Sequence, residues 1–214
     1  MERAVGAVKL KLASIDFLER DVKLRMPFRF GVVTLTESPQ AFVRCRIRIE
    51  DGPHRGKEAE GAAAELLAPK WFDKNPALSN EDNYEQLRTS LRAARGQYLA
   101  HGLATAWQHS VPGKGLVENY GPALIDRAVL DALCRALGVS FYEAIRNNLI
   151  GAEIFEAMNL ADFFATLKPS QNIAARHTVG LVDPITAADQ KERVNDGLPE
   201  TLEEVVARYG QRWF

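Results

Sequence analysis

The chain has 214 residues, 46% of them hydrophobic and 26% charged, with a formal net charge of −1. That length can bury a sizeable core in one large or two small domains. The near-neutral balance gives no electrostatic basis for a nucleic-acid or anionic-membrane partner, and no run of about 18 apolar residues is present to span a bilayer.

The opening, MERAVGAVKLKLASIDF, carries a charge every few residues and so lacks the apolar core of a signal peptide. Residues 14–26 and 41–49 read as strands. In the second, Val43, Cys45, Ile47 and Ile49 alternate with Arg44, Arg46 and Arg48. This is the pattern of a half-buried antiparallel strand, its arginine face solvated and ion-paired with nearby acids such as Glu19, Asp21 and Glu50. Asp51, Gly52 and Pro53 make a turn, and 57–67 is a third strand, giving a three-stranded antiparallel meander. Two aromatic segments interrupt it, PFRFGVVTLTESP at 27–39 and AAELLAPKWFDKNP at 63–76; both read as irregular loops that cover a ligand or a partner surface.

Past Pro76 the period changes. Ser79 or Asn80 caps a helix reaching Leu99, with Tyr84, Leu87, Leu91, Ala94 and Tyr98 on its core stripe and Gly102 near its end. His101 and His109 flank Trp107 and read as polar surface histidines, since no acidic or cysteine partner stands at ligand spacing. Residues 108–115 read as a loop. The stretch 121–151 then forms a helix pair. Its first helix is apolar from Ala123 to Leu137 apart from Asp126 and the narrow i, i+4 stripe of Arg127, Asp131 and Arg135, and is therefore buried on most sides. Gly138 ends it as a left-handed C-cap, and Ser140 with Glu143 has capping-box spacing for the second. Farther on, 174–182 reads as a strand, 199–209 as an amphipathic helix and 211–214 as the start of another strand, the opening of a parallel βα series. Cys45 and Cys134, without CxxC or Cys/His spacing, read as buried free thiols in a reducing cytoplasm.

No nucleophile elbow, phosphate-binding glycine loop, HExxH or paired-cysteine zinc pattern occurs. Asp183 follows the 174–182 strand, where barrel enzymes place functional groups, but it suits a turn cap equally well. His177 reads as a satisfied core histidine, and Asp183, Asp189 and Glu192 do not assemble into a metal-binding carboxylate set. No catalytic and no metal-ligating residue is assigned.

Three segments carry a resemblance. MPFRFG at 26–31, LAPKWFDKNP at 67–76 and IDRAVLDALCRALG at 125–138 (continuing into FYEAIRNNLIG) resemble the first mobile loop, a second closing loop and the cap-to-barrel helix of enolase-superfamily proteins, in the mandelate racemase and muconate lactonizing enzyme group. The resemblance implies an α+β capping domain over 1–151, a three-stranded antiparallel meander plus helix bundle. Residues 152–214 would then supply the first one to two βα units of an incomplete (β/α) barrel. It implies Mg2+-dependent abstraction of the proton α to a carboxylate in a complete family member, as a racemase, dehydratase or cycloisomerase, with a carboxylate-bearing small molecule as substrate. Phe28, Phe30, Thr34, Trp71 and Phe72 become substrate-lid residues on the barrel-facing side. The K-x-K strand and the metal carboxylates of the family fall due beyond Phe214, so this stretch alone is expected to hold no cofactor and to be inactive. The missing barrel half or a homo-oligomer would be its partner. The alternatives are a non-catalytic binding or assembly module built on the cap, and a self-contained small α+β enzyme.

Overall fold

A computed structural model describes residues 6–214; residues 1–5, whose Glu2 and Arg3 carry part of the leader reading, lie outside the described residues. Strand β1 (Lys9–Phe30) turns at Gly31 and Val32 into β2 (Val33–Ile49). Gly31 has φ 53°, a conformation that two-residue hairpin turns give to glycine. Strand β3 (Glu58–Leu66) pairs antiparallel with β2 from Arg48↔Glu58 to Gln40↔Leu66. After helix α1 (Asn80–Ala100), the two-residue β4 (Ala104–Thr105) joins β1 antiparallel, and the sheet order is β3-β2-β1-β4.

The segment 27–39, expected as a loop, is hairpin. Its Phe, Val and Thr residues favour the pleated backbone, and its prolines sit where a ladder tolerates them. Pro27 lies in β1 beyond the reach of β4, and Pro39 lies just past the end of the β2–β3 register.

Helix α2 (Ala106–His109) is a single turn, followed by α3 (Leu116–Leu137) and α4 (Phe141–Arg146). A short hairpin of β5 (Ile154–Phe155) and β6 (Met158–Asn159) leads into α5 (Leu160–Ala165), and α6 (Leu202–Tyr209) comes last. Capping boxes open α1 (Ser79 with Asp82) and α4 (Ser140 with Glu143), and Gly138 closes α3 at φ 69°. Helix α3 begins at Leu116, earlier than its apolar run suggests, because it carries Pro122 within it.

The contacts divide the chain into two compact units. One is Met1–Arg20 with Pro39–Pro169, the other Asp21–Ser38 with Ser170–Phe214. The division therefore falls after Pro169 rather than after residue 151, and the hairpin tip groups with the C-terminal residues.

In the first unit α3 packs on β3, and α1 on α3. The core joins Val43, Cys45, Ile47 and Ile49 of β2 to Leu87, Leu91 and Tyr98 of α1 and to Leu124, Ile125, Ala128 and Leu133 of α3. Burial pushes the Cys45 thiol up to about 12, while Cys134 is only half-buried. The arginine face of β2 is exposed and paired, Arg44 to Asp16 at 3.4 Å, Arg46 to Glu60 at 2.7 Å and Arg48 to Glu50 at 3.6 Å. Such exposed pairs set register more than they stabilise. The polar stripe of α3 grips the outer edge of β3: Asp131 accepts the Ala62 N–H at 2.9 Å, and Arg127 meets Glu65 at 3.1 Å. The first of these bonds occupies an edge-strand donor that would otherwise stay open.

In the second unit the expected strands at 174–182 and 211–214 reduce to one parallel bridge, Arg176↔Trp213, with the His177 N–H donating to the Trp213 carbonyl at 2.9 Å. A parallel ladder needs neighbours that bury both faces, and Ile173 and Leu181 remain 88% and 71% exposed.

Candidate functional site

The five lid residues occupy different settings. Phe28 and Phe30 follow one another on the half-buried face of β1, their rings 5.8 Å apart, and Thr34 is exposed on β2. All three belong to the second unit, where Arg29 accepts the Leu181 N–H at 3.0 Å and Gly180 is buried so close to the Phe28 ring that a Cβ there would strike it. Trp71 and Phe72 belong to the first unit. Trp71 is 56% exposed, but Phe72 packs edge-on to Tyr120 with ring centroids 5.1 Å apart. Phe72 therefore anchors its loop. Lys70, in a left-handed conformation (φ 59°), clips the same loop, its Nζ donating to the carbonyls of Asn75 and Leu78 and its N–H to Asn83 Oδ1.

The C-terminal polar residues are occupied structurally. Asp183 accepts the Gly180 N–H at 2.7 Å and closes a turn. Asp189 accepts the Thr186 N–H at 2.8 Å, and those bonds hold its carboxyl below the usual range. Glu192 is exposed. His177 is half-buried against the Phe214 ring at 6.3 Å, and is not the core histidine its apolar flanks suggest. Glu200, 5% exposed, accepts from Gln190, Val194 and Asn195 and so ties its loop together. Arg25 forks onto Asp196 at 2.6 and 2.7 Å and also donates to the Pro199 carbonyl.

Sequence reasoning passed over two features of the first unit. A cleft of about 760 Å³ runs between α1 and the 111–118 segment, floored by Ala93, Ala94, Val111 and Val117 and rimmed by Glu85 and Lys114. Near it, Asp126 accepts from Tyr98 Oη at 2.6 Å and Ser110 Oγ at 2.7 Å. Burial raises the Asp126 carboxyl above its ordinary value, and the two hydroxyl bonds only partly offset this. The signal was available, because Asp126 lies outside the Arg127, Asp131 and Arg135 stripe and so breaks the apolar side of its helix. His109, expected on the surface, is wholly buried with its ring 5.2 Å from that of His101.

No protein-family model, no curated protein and no solved structure matches the chain. Among the described residues no group of three or more His, Cys, Asp or Glu side chains is placed to hold a metal ion, and no helix is long and apolar enough to cross a membrane. Asp183 and Asp189 are committed to turns, and the resemblance places the family's Mg2+ carboxylates beyond Phe214, so none of the residues present is assigned to that ion.

Proposed function

We propose that this chain is the capping portion, with the start of the barrel, of an enolase-superfamily enzyme of the mandelate racemase and muconate lactonizing group. Its part is to cover a carboxylate-bearing substrate rather than to supply the base or the metal ligands. The observation that carries this reading is the single parallel bridge between Arg176 and Trp213, residues that lie before and after α6 in the chain, as the first two strands of a (β/α) barrel would. The antiparallel sheet backed by α1 and α3 ahead of it, and the three family-like segments in family order, add support. In this reading Phe28, Phe30 and Thr34 are cover residues of the hairpin, Trp71 is the cover residue of its own loop, and Phe72 holds that loop in place.

The test is to read the coding sequence past Phe214 and express whatever follows together with this chain. A K-x-K strand, later strands bearing Asp or Glu, and Mg2+-dependent exchange of a substrate α-proton in D2O are expected, with no exchange from this chain by itself. A following sequence without those strands would overturn the reading. The cleft beside α1 favours the second reading, a non-catalytic binding module built on the cap. Saturable binding of a small molecule that protects α1 amides from exchange, with no proton-exchange activity in any longer product, would establish it instead.

A further inference from the structure

One buried group has no part in the reading above. His109 ends α2 with no exposed surface, and its Nε2 lies 3.2 Å from the Leu10 carbonyl oxygen. A carbonyl can only accept, so Nε2 carries the hydrogen and Nδ1 keeps its lone pair. That Nδ1 is buried and meets no hydrogen-bond donor. Burial lowers the pKa of the ring, which favours the neutral form a metal ligand must have. The neighbouring imidazole is His101, exposed where α1 ends, its centroid 5.2 Å away.

We propose that His109 Nδ1 and the His101 ring form a two-imidazole site for a divalent transition-metal ion, Zn2+ or Cu2+, with water in the remaining positions. The spacing suits such an ion. With a metal–nitrogen bond of about 2.0 Å and a ring nitrogen about 1.1 Å from its centroid, the ion stands about 3.2 Å from each centroid. Two rings sharing such an ion can stand up to about 6.4 Å apart, and the 5.2 Å between His101 and His109 lies within that reach. The Leu10 carbonyl acts as the outer partner that ligating histidines commonly have, fixing the tautomer and the ring orientation. Imidazole donors select zinc or copper over Mg2+ or Ca2+, which take oxygen ligands, so this site is independent of the Mg2+ chemistry of the enolase resemblance. His101 provides the entry route, since its exposed side chain can swing to admit the ion. Two protein ligands make the site exchangeable rather than a structural staple.

The experiment titrates the full chain with ZnCl2 by calorimetry, beside His101→Ala, His54→Ala and His177→Ala, which together with His109 account for all four histidines. One ion per chain is expected, with affinity falling about tenfold or more in His101→Ala and unchanged in the other two variants. Because replacing buried His109 can unfold the chain, its role is read in the unsubstituted protein from imidazole 15N shifts. The His109 Nδ1 resonance should move on Zn2+ addition while Nε2 stays protonated. Absence of binding, equal affinity in His101→Ala (an adventitious ion only), or an unmoved Nδ1 resonance would each overturn the proposal.

Discussion

At the scale of single residues, the closest tolerance in the first unit is at Gly61. A Cβ there would fall on the Ala128 carbonyl oxygen and the Ala132 backbone nitrogen, so β3 approaches α3 more closely than any side chain permits. Backbone cannot swing aside as a flexible side chain does. Gly61→Ala should therefore cost about 1–3 kcal/mol or more in urea denaturation. Gly96, exposed within α1 with open space around its Cα, gives the opposite sign: Gly96→Ala should stabilise by about 0.5–1 kcal/mol. A destabilising Gly96→Ala would show that α1 is not helical there. Asp126 supports a second prediction at this scale, in pH. Its folded-state pKa is raised above the ordinary carboxylate value, with burial the main cause. In the window between the two values the folded protein holds a proton that the unfolded chain has released, so stability rises as pH falls through that window. Asp126→Asn removes the titration while retaining a carbonyl acceptor for Tyr98 and Ser110. The stability of the variant relative to the parent should then be greatest near pH 7 and decline toward pH 4. A difference independent of pH would mean that Asp126 is already satisfied as a carboxylate.

Among the elements, α3 shows how a chain repairs a break. Pro122 has no N–H, so the Glu118 carbonyl one turn earlier loses its helical partner. Ser90 of α1 supplies the missing donor, its Oγ donating to the Glu118 carbonyl at 2.9 Å and accepting the Gly121 N–H at 2.9 Å. Gly121 lets the helices meet, because a Cβ there would strike the Ser90 carbonyl. Ser90→Ala removes that part-buried donor and should destabilise by about 0.5–1.5 kcal/mol, with faster amide exchange at the start of α3. Loss of stability without that local change would point to packing instead. The same helix marks what a sequence reveals. The stripe on α1 and the alternation along β2 were legible because their causes lie within a few residues. The start of α3 was not, because Pro122 reads as a breaker until Ser90, on another helix, is known to answer it. The hairpin at 27–39 was hidden similarly, since its prolines are harmless only where the strands lack a second neighbour. For the site, an aromatic pair such as Trp71 and Phe72 was visible, but not the ring on which Phe72 is anchored. That ring belongs to Tyr120, far along the chain, just as the burial of His109 depends on Leu10.

Across the whole molecule, apolar cover is divided unevenly between the two units. In the first, the β2 face, α1 and α3 bury a continuous core. In the second, α6 buries none of its residues, and Ile173, Leu181, Val182, Ile185, Val194, Trp213 and Phe214 are 44–88% exposed. Its order rests on polar clips instead, the Arg25 fork onto Asp196 and the bonds to Glu200. The Arg25 bond holds the Asp196 carboxyl at about 2, below its ordinary 3.8, so this clip is complete above the ordinary value and is lost as pH falls from there toward about 2. Segments with few buried apolar contacts open at low free-energy cost, whereas core strands and helices exchange only in larger openings. Amides of β2, β3 and α3 should therefore be the slowest to exchange and those across 170–200 among the fastest, with the contrast widening near pH 3. Exposed apolar side chains at this density also favour self-association, so the sedimentation coefficient should rise with concentration, and Leu181→Asp with Trp213→Asp should suppress the rise without changing exchange in α3. A concentration-independent monomer, with 170–200 protected as strongly as α3, would show that the second unit has a core of its own and would remove the case for a surface awaiting cover.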